Sequence, residues 1–277
     1  MKKFLKLLNF ELNRFKKIYI VLILLTVVIQ ITGVIYKTLN YMNDVNDTMR
    51  ETSINASEYV SQNGTMDFKT ILNTSWFFFS VALCAAALVI YLFFIWYREW
   101  FGKNTFIYRL LMLPTSRVNI YLSKALTIFL LVLGLIGIQL ILLPIENFIF
   151  KAIIPTEFRI DLKLADAIRL SDYLHILIPG SFLTFLIFYG LGFLAVTILF
   201  TGILFERSFR FKGIIMGGIY CILSVIVFFA PLLIETFFMP NFLYPIERFF
   251  IELIMGIVVL IGSISMSVFL LKNKVTV

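Results

Sequence analysis

Six runs of about 20 apolar residues constrain this chain more than any other feature. A helix that crosses the ~30 Å hydrocarbon core of a bilayer needs about that many. The runs cover 18–36, 76–97, 118–143, 174–205, 213–234 and 249–271. Composition agrees: 61% of the residues are apolar, 14% are charged, and there are 31 phenylalanines. A soluble domain is roughly 45–50% apolar and about 25% charged. The expected fold class is therefore an all-α membrane protein, with 1–277 as a single transmembrane domain of six helices. Pro179, Gly180, Gly190 and Gly192 in the long fourth run predict a tilt or kink there.

Charge sets the orientation. With the N-terminus in the cytoplasm, the inside segments are 1–17, 98–124, 206–212 and 272–277. They hold 16 Lys+Arg and 3 Asp+Glu, and the rest of the chain holds 8 and 13. Basic residues retain short loops in the cytoplasm, so both termini are expected inside a multi-pass protein of the cell membrane. The net charge of +8 is thus a topology signal. No long basic tract or binding motif accompanies it, so nucleic acid is not an expected partner. The first run is long and lacks a small-x-small cleavage site, which reads as a retained anchor.

The segments between the runs carry further signals. Over 1–17, Lys2, Lys6, Asn9, Asn13 and Lys16 make one polar stripe, and Phe4, Leu5, Leu8, Leu12 and Phe15 cover the other side. That pattern predicts an amphipathic helix lying in the membrane plane against lipid. Segments 37–75 and 144–173 are expected to be extracellular, the first a polar loop. Within the second, 158–164 alternates like a strand. Segment 98–117 is the most informative. Gly102 breaks the chain, Asn104 or Thr105 can cap a short helix over 106–112, and Pro114 ends it. That helix bears Phe106, Tyr108, Leu110, Leu111 and Met112, and so many large apolar groups facing the cytoplasm call for a partner surface. Lys124, one to two turns into the third run, is expected to snorkel to the surface.

Residues able to do chemistry are sparse. Gly102-Lys103 is followed by Asn104 and has no upstream glycine, so the phosphate loop GxxxxGK[ST] is absent and this chain holds no ATPase motif. No HExxH cluster or GxSxG elbow occurs, and the lone His175 cannot hold a metal by itself. Cys84 and Cys221 sit in apolar runs and read as buried thiols. Glu146, Glu235, Glu247 and Glu252 fall toward the outer face, with no basic partner at mid-depth, unlike the ionisable groups of an ion-coupled carrier. Gly213 and Gly217 form a GxxxG that could mark a dimer contact.

The layout resembles a permease subunit of the bacterial type-2 ABC exporters. The matching parts are the N-terminal amphipathic helix, six spans with both ends inside, and the stretch after the second span. In that stretch Arg98-Glu99, Thr105, then Leu110-Leu111-Met112-Leu113-Pro114-Thr115-Ser116-Arg117 and Lys124 are similar to the family's "LL-x-LP-x-SR … K" run.

The resemblance implies that 105–113 is a coupling helix seated in a separate ABC ATPase subunit, with Thr105, Phe106, Tyr108, Arg109, Leu111 and Met112 in contact. Glu99, Pro114, Ser116, Arg117 and Lys124 would shape that segment. ATP and Mg would be held by the ATPase, and a second permease subunit, the same or a sister chain, would complete the exporter. The second and fifth spans would face the substrate cavity, making Phe78, Phe79, Phe228 and Phe229 candidates for contact with a hydrophobic or amphipathic peptide, antimicrobial or lipid. Two other classes stand beside this one: a membrane-embedded enzyme, and a non-transporting immunity or sensor subunit.

Overall fold

Long apolar runs become helices because a backbone in hydrocarbon must satisfy its own N–H and C=O groups. A computed structural model of the protein describes residues 2–100, 109–110, 112, 115–237 and 244–274. Among them six helices are long and apolar enough to cross a membrane. They are α1 (Lys2–Thr52), α4 (Ser75–Trp100), α5 (Arg117–Ile153), α8 (Phe182–Phe209), α9 (Phe211–Phe237) and α10 (Pro245–Asn273). This is the architecture of an α-helical multi-pass membrane protein. Shorter elements lie between: α2 (Ala56–Asn63), β1 (Met66–Asp67), α3 (Phe68–Leu72), β2 (Arg159–Ile160), α6 (Leu164–Leu170) and α7 (Leu174–Leu177).

Several boundaries differ from the sequence expectation. Helix α1 is continuous from Lys2 to Thr52. Residues 2–17 are therefore its first turns rather than a separate element, and 37–52 are helix rather than loop. Helix α5 runs through Pro144 to Ile153, because neighbouring groups can satisfy the carbonyl that an internal proline leaves unpaired. The fourth run is broken rather than kinked. Pro179 disfavours helical angles at Ile178, which ends α7. Ser181 then accepts a hydrogen bond from Thr184 N at 3.1 Å and opens α8.

The chain forms two compact units. The first contains Met1–Leu12, Ile90–Phe129 and Leu186–Val277, and the second Asn13–Val89 and Leu130–Phe185. In the second unit the connections on either side of the spans fold together instead of forming independent loops. Strand β1 pairs in parallel with β2, Met66 opposite Arg159. Tyr41 donates to the Phe158 carbonyl at 3.2 Å, and Tyr59 meets the Phe158 ring edge-on. Phe68, Ile71, Leu72 and Phe150 are almost fully buried beneath. The strand expected over 158–164 is only these two residues of β2, because α6 begins at Leu164.

Polar side chains tie the second unit's spans together. Gln30 Nε2 donates to Ser80 Oγ at 2.9 Å and to Gln139 Oε1 at 3.0 Å, joining α1, α4 and α5. Thr26 gives its proton to the Leu22 carbonyl, so the Cys84 thiol is the donor in the 3.0 Å contact between them. In apolar surroundings such bonds are worth about 0.6–2 kcal/mol each. His175 contacts the Ser171 carbonyl through Nδ1 at 2.9 Å. That makes Nδ1 the protonated nitrogen and gives the residue a local structural role.

In the first unit α8 and α9 are joined through Arg210, which takes a left-handed φ of 54°. Gly213 and Gly217 pack α9 against α8. A Cβ at Gly217 would lie 2.6 Å from the Gly202 carbonyl oxygen, and one at Gly213 would strike the Phe205 carbonyl. The GxxxG thus serves a contact within the chain.

Candidate functional site

The site grows from three helix ends in the first unit. Glu11 lies in the third turn of α1, Arg98 and Glu99 end α4, and Lys124 lies in the second turn of α5. Lys124 Nζ donates to Glu99 Oε1 at 2.6 Å, Glu11 Oε1 at 2.8 Å and the Ile95 carbonyl at 3.1 Å. An ammonium has three donors, and all are used. Arg98 Nη2 donates to Glu11 Oε2 at 2.5 Å. Two acids and two bases balance, and Lys124, Glu99 and Glu11 are almost fully buried.

Burial overturns the expectation that Lys124 snorkels. Its side chain is 1% exposed and lies 5.2 Å from the centre of the Trp96 ring. The physical reason is local: two carboxylates and a carbonyl already surround the ammonium, so reaching water would leave them unpaired.

The register of α5 explains how one short stretch serves several neighbours. Residues three and four apart share a helix face. Ile120 packs with Leu7 of α1 and Leu110. Tyr121 donates to the Thr197 carbonyl at 3.2 Å and packs with Trp96 and Phe200. Lys124 completes the face. Arg117, at the first position, donates to the Leu271 carbonyl and, at 3.4 Å, to that of Lys272. It therefore caps the C-terminal end of α10, where a cation also meets the negative end of the helix dipole.

The end of α4 is held equally well. Tyr97 donates to Glu206 of α8, and the Arg207 guanidinium lies 4.5 Å from the centre of the Tyr97 ring. The residues before segment 101–116 are thus tied to α1 and α8, and those after it to α1, α8 and α10.

The coupling-segment residues divide sharply. Thr105, Phe106, Tyr108, Leu111 and Pro114 lie outside the described residues. Arg109 and Ser116 are exposed, and Met112 is 73% exposed. Leu110 is 3% exposed. It is covered by Leu7 and Ile120 of its own chain rather than offered to a partner, a correction to its grouping with the outward apolar residues. Glu99 and Lys124 are brought into one buried ionic cluster, and Arg117, half-buried, is held separately at the end of α10. Phe78 and Phe79 are more than half exposed, Phe78 lying edge-on to Tyr173. Phe228 meets Phe229 edge-on at 4.9 Å and lines a cavity in the first unit.

Glu11 was not anticipated as part of the site. The sequence did contain a signal: Leu7, Glu11 and Phe15 recur every four residues, and all three are buried. A lone carboxylate on a buried apolar stripe demands a cation. Among the described residues no cluster of three or more His, Cys, Asp or Glu could hold a metal. Comparison with protein families, curated proteins and solved structures returns no match.

Proposed function

We propose that this chain is the membrane-spanning permease subunit of an ATP-driven exporter of the type-2 ABC class. On this reading it lies in the cell membrane with both termini and segment 98–117 in the cytoplasm. A separate ABC ATPase binds and hydrolyses ATP with Mg and grips segment 105–113. A second permease, the same or a sister chain, completes the transport path. The cargo is hydrophobic or amphipathic.

The observation that carries this reading is the double anchoring of segment 101–116. Arg98 and Glu99 on one side, and Lys124 on the other, meet at Glu11 in one buried ionic cluster. Tyr97 holds α8, and Arg117 holds the end of α10. The residues on both sides of the segment are therefore tied to α1, α8 and α10, so a push on it is passed to these helices. Packed helices with fixed partners move as bodies, as a lever requires. The ATPase shifts the transport equilibrium only if it grips the segment differently in its ATP-bound and ATP-free forms.

Met112→Asp tests the reading, because Met112 faces outward and its replacement leaves the buried cluster intact. The expected result is loss of co-purification with the ATPase, or loss of transport, at normal membrane insertion. Transport unchanged in Met112→Asp, and in Leu111→Asp as a second variant, would remove the coupling assignment.

A further inference from the structure

Within the first unit, α8, α9 and α10 line a partly open cavity of about 270 Å³. Leu186, Leu194, Phe228, Phe249 and Leu260 give it an apolar wall, and among the described residues Glu252 is the one charged group lining it. Glu252 sits seven residues into α10, roughly 10 Å along the axis at 1.5 Å per residue. Its sequence neighbours are Phe249, Phe250, Ile251, Leu253 and Ile254.

A carboxylate within a membrane helix is costly, and such groups normally face a partner or a pathway. The nearest basic residue in sequence, Arg248, is one helical turn away, and its Nη1 is directed to Glu235 Oε2 at 3.3 Å. No cation pairs with Glu252 among the described residues. The arrangement is an apolar pocket with one negative end and two aromatic rings.

We infer that this cavity binds the apolar part of a cationic amphiphile, with Glu252 receiving its positive head. Charge complementarity selects the occupant. The carboxylate would repel an anionic lipid or detergent and gives a neutral chain nothing in return for its own desolvation. Phe228 and Phe249 present ring faces or edges that suit an alkyl chain, and an ammonium gains further from an aromatic ring nearby. The volume lies just below the roughly 300–1,000 Å³ typical of drug-sized sites, so it takes one alkyl chain or ring system rather than a large rigid body. The inference deepens the export reading and rests on it only for the ligand being cargo.

The test uses the full chain in neutral phosphatidylcholine nanodiscs, without ATP or an ATPase. Isotope-labelled dodecyltrimethylammonium is the probe, and dodecanol is the uncharged chain of equal length. Two variants accompany the wild type. Glu252→Gln removes the charge. Gly190→Leu adds bulk at a lining position whose Cβ would meet nothing within 4 Å, and a melting temperature equal to that of wild type confirms that the variant folds. The expected result is saturable binding of the cation at least about tenfold tighter than the alcohol. Glu252→Gln abolishes that preference, and Gly190→Leu weakens both ligands. Equal binding of the two probes to wild type would make the cavity a plain lipid-chain groove and overturn the inference. So would a preference that survives Glu252→Gln, tight binding that survives Gly190→Leu, or no saturable binding at all. In a separate assay with ATP and the ATPase subunit, binding of the cation without its transport by the wild type would count against the export reading alone.

Discussion

Lys124 and Glu99 form an ion pair of 2.6 Å in which neither side chain reaches solvent. The pair joins the end of one span to the start of the next, across the segment proposed to meet the ATPase. Breaking a buried pair by removing one partner costs about 3–5 kcal/mol, because the other charge is left without compensation. Lys124→Met is therefore expected to lower stability by about that amount. Lys124→Met combined with Glu99→Gln should recover part of the loss, since Glu11 keeps Arg98. Unfolding in detergent measures both, and a strictly additive double variant would show that the two charges are not coupled.

Two adjacent glycines on α9 should respond in opposite directions. A Cβ at Gly217 would press on the Gly202 backbone, which cannot swing aside, whereas Gly218 has nothing within 4 Å. Gly217→Ala is expected to destabilise by about 1–3 kcal/mol through overpacking. Gly218→Ala should stabilise by roughly 0.5–1 kcal/mol through helix propensity. Thermal melts of the two variants decide it, and equal melting temperatures would refute the close α8–α9 contact.

Glu146 is fully buried in α5, and neither carboxylate oxygen has a hydrogen-bond partner among the described residues. A charge there is costly, and shape rather than charge should be what the site requires. Glu146→Gln is expected to keep stability within about 1 kcal/mol of wild type or to raise it. Glu146→Lys should prevent folding, because the new cation has no acceptor. A large loss in Glu146→Gln, read by melting temperature, would mean that the carboxylate serves a partner.

The lever reading depends on which side each segment faces. Gln62 on α2 and Met112 in the proposed coupling segment are both exposed. With Cys84 and Cys221 replaced by serine, Gln62→Cys in intact cells should react with an impermeant maleimide. Met112→Cys should react only after the membrane is permeabilised. Labelling of Met112→Cys from outside would end the proposal.

Acid should loosen one corner of the second unit slightly. Lys151, and then Arg159, hold the exposed Asp161 carboxyl below its ordinary range. A group whose ionisation is favoured by folding contributes stability above its unfolded pKa, about 3.9, and loses it as pH falls through the folded value. Asp161→Asn should therefore show a smaller fall in melting temperature between pH 6 and pH 3 than wild type. An identical fall would show that the exposed pair contributes nothing.

Six helices long and apolar enough to cross a membrane were legible in the residues alone, because about twenty consecutive apolar residues have one low-energy answer in lipid. The sequence also marked a disturbance near Pro179, expected as a tilt or kink, and the structure turns that into a full break between α7 and α8. It flagged Arg98-Glu99, Arg117 and Lys124 as a set only through family likeness, and it missed Glu11. That Lys124 turns inward, that Gly213 and Gly217 face α8 of the same chain, and that 53–74 and 154–173 fold together is visible only in three dimensions. A spacing rule gives the face on which a side chain lies and leaves open what stands opposite that face. Glu11 and Lys124 are 113 positions apart, and a partner so distant in sequence is set by how helices pack.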